Sequence, residues 1–112
     1  MSRDEEYQNL LRVLREAAGR QRLVTPDEAL RAAGLDAHQT DDLDALLERI
    51  AREEHAQGRP LLPAVVIDPG RNFPTERFFR VARELGVFRD GRRLRFFVAE
   101  LNRMYAWWGW PR

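Results

Sequence analysis

Few side chains in this sequence are able to carry covalent or acid–base chemistry. His38 and His55 are far apart in the chain, one in a polar turn and one near the exposed end of a helix, with no H-x-x-x-H spacing. A three-ligand metal site therefore lacks its nitrogen donors. Asp41, Asp42, Asp44 and Glu48 cluster where a helix begins. Asp44 and Glu48 share a face and have the oxygen chemistry to hold Mg²⁺ with waters; the simpler account is that carboxylates favour a helix N-terminus. Asp68 ends an apolar run, a place where α/β enzymes often set a catalytic carboxylate, but the Pro69-Gly70 that follows makes it a turn former. The hydroxyls are Ser2, Thr25, Thr40 and Thr75 besides the tyrosines, and the three threonines stand at helix starts.

What is missing narrows the chemistry further. All 19 basic residues are arginine, which removes Schiff-base lysines, phosphate-loop lysines and the lysine of common nuclease sites. No glycine-rich phosphate loop is present. With 0 cysteines, neither a disulfide framework nor a thiolate metal site is available. The expectation is a protein that is not an enzyme, with no cofactor, no metal and no small-molecule substrate. No apolar run approaches the roughly 20 residues of a membrane span, and the start MSRDEEYQ is acidic, unlike a secretory signal. A cytoplasmic location follows by elimination.

Charge is unevenly distributed. The formal net charge is +1, yet residues 1–57 hold 8 Arg against 13 Asp and Glu, while residues 58–112 hold 11 Arg against 5. Of 11 aromatic residues only Tyr7 precedes Phe73. Such asymmetry suggests an anionic partner for the second half; alternatively one half docks on the other.

These residues must be positioned by mostly helical elements. Tyr7, Leu10, Leu11 and Leu14 recur at helical spacing over about 4–18, with Gly19 as the stop. Thr25-Pro26-Asp27-Glu28 combines a capping box with proline at the first helical position and starts a short helix ending at Gly34. Thr40 is expected to cap a third helix, Asp41 to about Gln57, with Leu43, Leu46, Leu47 and Ile50 inward. The run GRPLLPAVVID, residues 58–68, is bounded by Pro and Gly and rich in β-branched side chains, so it reads as a buried strand. Leu23 and Val24 are candidates to pair with it. A turn at 69–72, a fourth helix opened by Pro74-Thr75, an Asp90-Gly91 turn and a fifth helix at about 92–108 complete a single domain spanning 1–112, with the last helix as a C-terminal extension. The fold class expected is mostly α with a small β component: about five helices around one main strand or short hairpin.

That order matches a winged helix-turn-helix. LVTPDEALRAAGL, then LDALLERIAREEHAQGRPLLPAVVID, then FPTERFFRVARELG resembles small, mostly uncharacterised bacterial winged-helix-like domains, over about Leu23 to Gly86. The resemblance implies fold and not activity. It departs from the pattern at Asn72-Phe73-Pro74-Thr75-Glu76, where a glycine-rich loop is usual.

Two binding readings follow. In a helix-turn-helix the second helix would enter the major groove leading with Asp41, Asp42 and Asp44, which phosphates repel. A nucleic acid backbone would instead meet Arg59, Arg71, Arg77, Arg80, Arg83, Arg92 and Arg93. The alternative is a protein-interaction module, of the immunity or antitoxin kind, an assembly partner, or a homodimer through the last helix. Projected at 100° per residue, that helix turns Leu94, Phe97, Val98, Leu101, Tyr105 and Trp108 to the core and Phe96, Arg103 and Trp107 to the other side. Phe96, Arg103, Trp107 and Trp110 are then the interface candidates. DNA is the first choice because the second half is basic.

Overall fold

The computed structural model describes residues 2–109; Trp110, an interface candidate, lies outside them. Five helices form: α1 Arg3–Gly19, α2 Pro26–Ala33, α3 Thr40–Ala56, α4 Glu76–Glu84 and α5 Arg93–Trp108, with one 3-10 turn, Leu62–Val65, between α3 and α4. Local chemistry explains the starts. The Ser2 and Thr25 hydroxyls accept from the amides of Glu5 and Glu28, and each glutamate reaches back to its cap, so two orphan donors per helix are satisfied reciprocally. Gly34 ends α2 in the left-handed region that glycine adopts without steric cost. Thr40 lies inside α3, not at its cap; Gln39 takes that place, its side chain accepting from no helix amide but donating to the Asp42 carboxylate at 2.9 Å. Thr75 caps α4 in position only, again with no side-chain bond.

The expected β component is corrected. Among the described residues there is no strand and no hairpin, only a parallel bridge between Val24 and Val66 and an antiparallel one between Asp68 and Phe73. A winged helix needs a β hairpin for its wing, so that fold class is overturned. The cause lies in Pro60 and Pro63. Proline cannot donate to a ladder and is kept out of central strands, and Pro63 instead opens the 3-10 turn. Residues 60–67 are nonetheless buried throughout. Three of their amides find backbone acceptors one at a time: Ala64 the Leu61 carbonyl, Val66 that of Pro63, Ile67 that of Val24, while Val24 donates in turn to Val65.

Leu61 has no such neighbour. Its amide donates 2.7 Å to Glu100 Oε2 from α5, and the other carboxylate oxygen accepts from Arg103. Glu100 is only 2 % exposed. A second buried carboxylate, Glu54 at 1 % exposure, holds the entry to the same segment. Its Oε1 accepts from Arg15 of α1 and from Arg59. The Arg15 guanidinium also lies 4.8 Å from the Trp108 ring centre, so one residue links α1, α3 and the end of α5.

Around this segment pack Leu10, Leu14, Leu46 and Ile50, and the phenylalanines join the same core. All six join in one set of ring contacts, including Phe73–Phe79 at 5.3 Å, Phe73–Phe97 at 5.3 Å and Phe88–Phe96 at 5.1 Å. Each such pair adds roughly 0.5–1.5 kcal/mol beyond area burial. α1 and α5 approach so closely at their ends that a Cβ on Gly19 would stand 2.8 Å from the Trp108 carbonyl oxygen.

Removing the Glu100 carboxylate leaves the Leu61 amide buried without an acceptor. Glu100→Ala is expected to cost about 3 kcal/mol in urea unfolding, and Glu100→Gln, which keeps an acceptor oxygen, about 1 kcal/mol. Equal losses for the two variants would show that the bond to Leu61 is not what matters.

Candidate functional site

The arginines singled out in the sequence separate into two groups. Arg59 is committed to Glu54. Arg77 sits between Asp44 and Glu48, at 3.8 Å and 3.3 Å. Arg93 forms a two-pronged pair with Glu76, one prong at 2.6 Å. Arg71, Arg80, Arg83 and Arg92 form no ion pair among the described residues, and the same is true of Arg89 and Arg95. Of these Arg83 lies over the Phe88 ring, 4.7 Å from its centre, and Arg89 donates to the Gly86 carbonyl. The acidic first half thus neutralises part of the basic second half, while a set of uncommitted guanidinium groups remains on the outward face of α4, in the turn after it and on the first turn of α5.

The facing of α5 is also corrected. Phe97, Glu100 and Met104 point inward, with Phe96, Leu101 and Trp108 partly buried against the core. Leu94 and Val98, expected inside, are 66 % and 46 % exposed. Phe96, expected outside, joins the phenylalanine contacts. Arg103 is exposed and bound to Glu100; Trp107 is 43 % exposed on a different side of the helix from Leu94. The reason is Glu100. Counted as a polar residue it turns that side of the helix to solvent, whereas its bond to Leu61 turns it inward and rotates Leu94 and Val98 out. Two prolines flanking a buried Leu61 were the available signal that an acceptor had to come from elsewhere.

The outward face of α5 therefore presents Leu94, Val98, Ala99 and the half-buried Tyr105, with Arg95 beside them and no exposed acidic side chain on the helix. On the other flank of α5, against the preceding turn, is a shallow groove of about 220 Å³ lined by Phe88, Arg89, Asp90, Arg95, Phe96 and Ala99.

A second concavity lies elsewhere. Between the start of α2, α3, the 3-10 turn and α4 is a cleft of about 60 Å³ with apolar walls, among them Leu43, Leu47, Ala51, Pro63, Phe78 and Val81. Asp44, Glu48, Thr75 and Arg77 stand at its mouth. The two carboxylates considered for Mg²⁺ are thus both next to Arg77. Among the described residues no group of three or more His, Asp or Glu is placed to hold a metal ion. Asp68, the other carboxylate considered, accepts from the Gly70 amide at 2.9 Å and shapes its own turn.

Among the described residues no helix is long and apolar enough to cross a membrane. No family model, curated protein or solved structure matches the chain.

The two carboxylates at the cleft are shifted in opposite directions. Hydrogen bonds from Arg52, and then from Arg77, hold Glu48 below its usual range despite partial burial. Burial raises Asp44, and Arg77 only partly offsets it. The signs follow by linkage. Glu48 contributes stability above its unfolded pKa that is lost as the pH falls through its lowered folded value; Asp44 favours the fold in its protonated form and so contributes as the pH falls. Carbon-detected NMR titration should place Asp44 above 3.8 and Glu48 below 4.5. Shifts in the reverse directions would contradict the geometry at Arg77.

Proposed function

We propose that this chain is a non-enzymatic protein-interaction module whose contact surface is the outward face of α5 and the groove beside it. The observation that carries the reading is the exposure of Leu94 and Val98, 66 % and 46 %, on one line of a helix whose other side is fixed in the core. Exposed aliphatic side chains on a helix held in the core are what a docking helix covers; the groove floored by Phe88 and Phe96 lies on the other flank of α5. Arg89 and Arg95 outnumber Asp90 in the lining of that groove, and Arg92 precedes the helix without an ion pair among the described residues. The partner that matches is an amphipathic helix with acidic flanks; charge sets its orientation and association rate, and the aliphatic line supplies the affinity. A second copy matches less well, because α5 exposes no acid to meet the arginines of another α5. A cytoplasmic setting belongs to the proposal and is supported by the lack of cysteine.

Nucleic acid is the second reading, favoured by one observation: Arg71, Arg80, Arg92 and Arg95 carry no ion pair among the described residues. Backbone-directed binding needs such uncommitted cations.

A designed leucine-striped helix flanked by glutamate should bind the chain in fluorescence anisotropy, and its lysine-flanked counterpart should not. Leu94→Glu with Val98→Glu, two exposed positions, should abolish binding without altering the thermal midpoint. Binding of both peptides alike would overturn the reading. Random duplex DNA retained in a salt-dependent way, and weakened by Arg80→Ala with Arg83→Ala but not by the α5 changes, would favour nucleic acid instead. A dimer by light scattering that the α5 changes dissolve would replace the acidic helix with a second copy.

A further inference from the structure

Charge is not even along α5. The turn before the helix and its first turn hold Arg89, Arg92 and Arg95, all exposed, and none of the three forms an ion pair among the described residues. Within residues 89–95 the only acid is Asp90, whose carboxylate accepts from the Arg92 amide at 3.0 Å. Arg93 is already matched by Glu76. Three free guanidinium groups against one carboxylate leave this end of the helix positive. The last two turns differ. From Leu101 to Trp108 the charged residue is Arg103 alone, and Glu100 neutralises it at 2.7 Å. The outward face there offers Asn102, Tyr105 and Ala106, all uncharged.

The backbone reinforces this gradient. α5 has no acidic residue in its first turn and no basic residue in its last, so its own side chains compensate neither end of its dipole. The acids of a docking helix are therefore drawn to one end of the Leu94–Val98 line and not to the other. Direction follows from the dipoles. An antiparallel helix brings its negative end to the positive start of α5 and its positive end to the last turn of α5; a parallel helix sets like ends together.

We infer that the partner helix runs antiparallel to α5, with its acidic residues confined to its C-terminal turns, over Leu94 and beside Arg92 and Arg95, and with uncharged residues facing Asn102, Tyr105 and Ala106. This rests on α5 being the contact face. It adds direction and register, which the aliphatic line alone leaves open because leucines pack on it either way round.

Two synthetic helices of identical composition separate direction from binding. Both carry a leucine stripe; one has its glutamates in the C-terminal turns, the other in the N-terminal turns. In fluorescence anisotropy at low salt, the helix with C-terminal acids should bind the full chain about fivefold more tightly, as two exposed ion pairs and opposed dipoles allow. The gap should close as salt is raised. A nitroxide on the C-terminus of that helix should broaden the amide signals of Leu94 and Arg95 and leave Ala106 sharp. In the variant Arg92→Gln with Arg95→Gln, both exposed positions, the preference should fall below about twofold, the part that dipoles alone supply. Equal binding of the two helices, tighter binding of the one with N-terminal acids, broadening of Ala106 by the C-terminal label, or a preference unchanged in the glutamine variant would each overturn the inference and leave α5 as the contact face. If neither helix binds, the α5 reading falls and the inference falls with it.

Discussion

Glu100 Oε2 and the Leu61 amide meet at 2.7 Å inside the domain, and neither forms another hydrogen bond among the described residues. The bond is needed because residues 60–67 are buried without a sheet around them. Every buried amide must find an acceptor, and two prolines lower the demand while breaking the ladder that would normally meet it. What remains is a set of single solutions: a 3-10 turn, one rung to Val24, and a carboxylate brought in from α5. Burying that carboxylate is unfavourable alone. Arg103 supplies the counter-charge at its other oxygen, as Arg15 and Arg59 do for Glu54. Two glutamates from helices far apart in sequence thereby fasten both approaches to the central segment.

The surface follows from the same constraint. Once Glu100 faces inward, the rotation of α5 is fixed, since Phe97 and Met104 lie on the same side one turn away. Leu94 and Val98 must then face out. The exposed aliphatic line is a geometric result of satisfying one backbone amide, not an error of packing, and it leaves the arginines of the α4–α5 turn beside an apolar edge. Ion pairing sorts the remaining cations. Arg59 and Arg77 are consumed by carboxylates of the acidic half, and Arg93 and Arg103 by Glu76 and Glu100 of their own half; Arg71, Arg80, Arg92 and Arg95 carry no ion pair among the described residues.

Local signals were legible in the chain. The Thr25–Glu28 capping box, the glycine stop at Gly34 and the inward line of Leu43, Leu46 and Ile50 depend only on neighbours within a turn or two, and they stand in the structure. The central place of residues 58–68 was legible from apolar composition. Their conformation was not: the β-branched run Val65-Val66-Ile67 suggested a strand, and Pro63, which forbids one, sits two residues upstream. The facing of α5 was illegible for a different reason. Periodicity assigns a glutamate to solvent, and nothing local to Glu100 reveals that Leu61, 39 positions away, lacks an acceptor. The cleft is of that second kind as well, since its walls come from four separate elements. The carboxylates beside it were noticed, and so was Arg77, but as a contact for a phosphate backbone and not as their partner.

The close approach of Gly19 to the Trp108 carbonyl has a consequence for chain entropy. It joins the first helix to the last, and closing so long a span is rewarded only after the intervening turns are in place. Helical domains ordinarily fold quickly because their contacts are local. This one also carries a contact between its two outermost helices, and the entropy of closing that loop weighs against the speed its helices would otherwise allow.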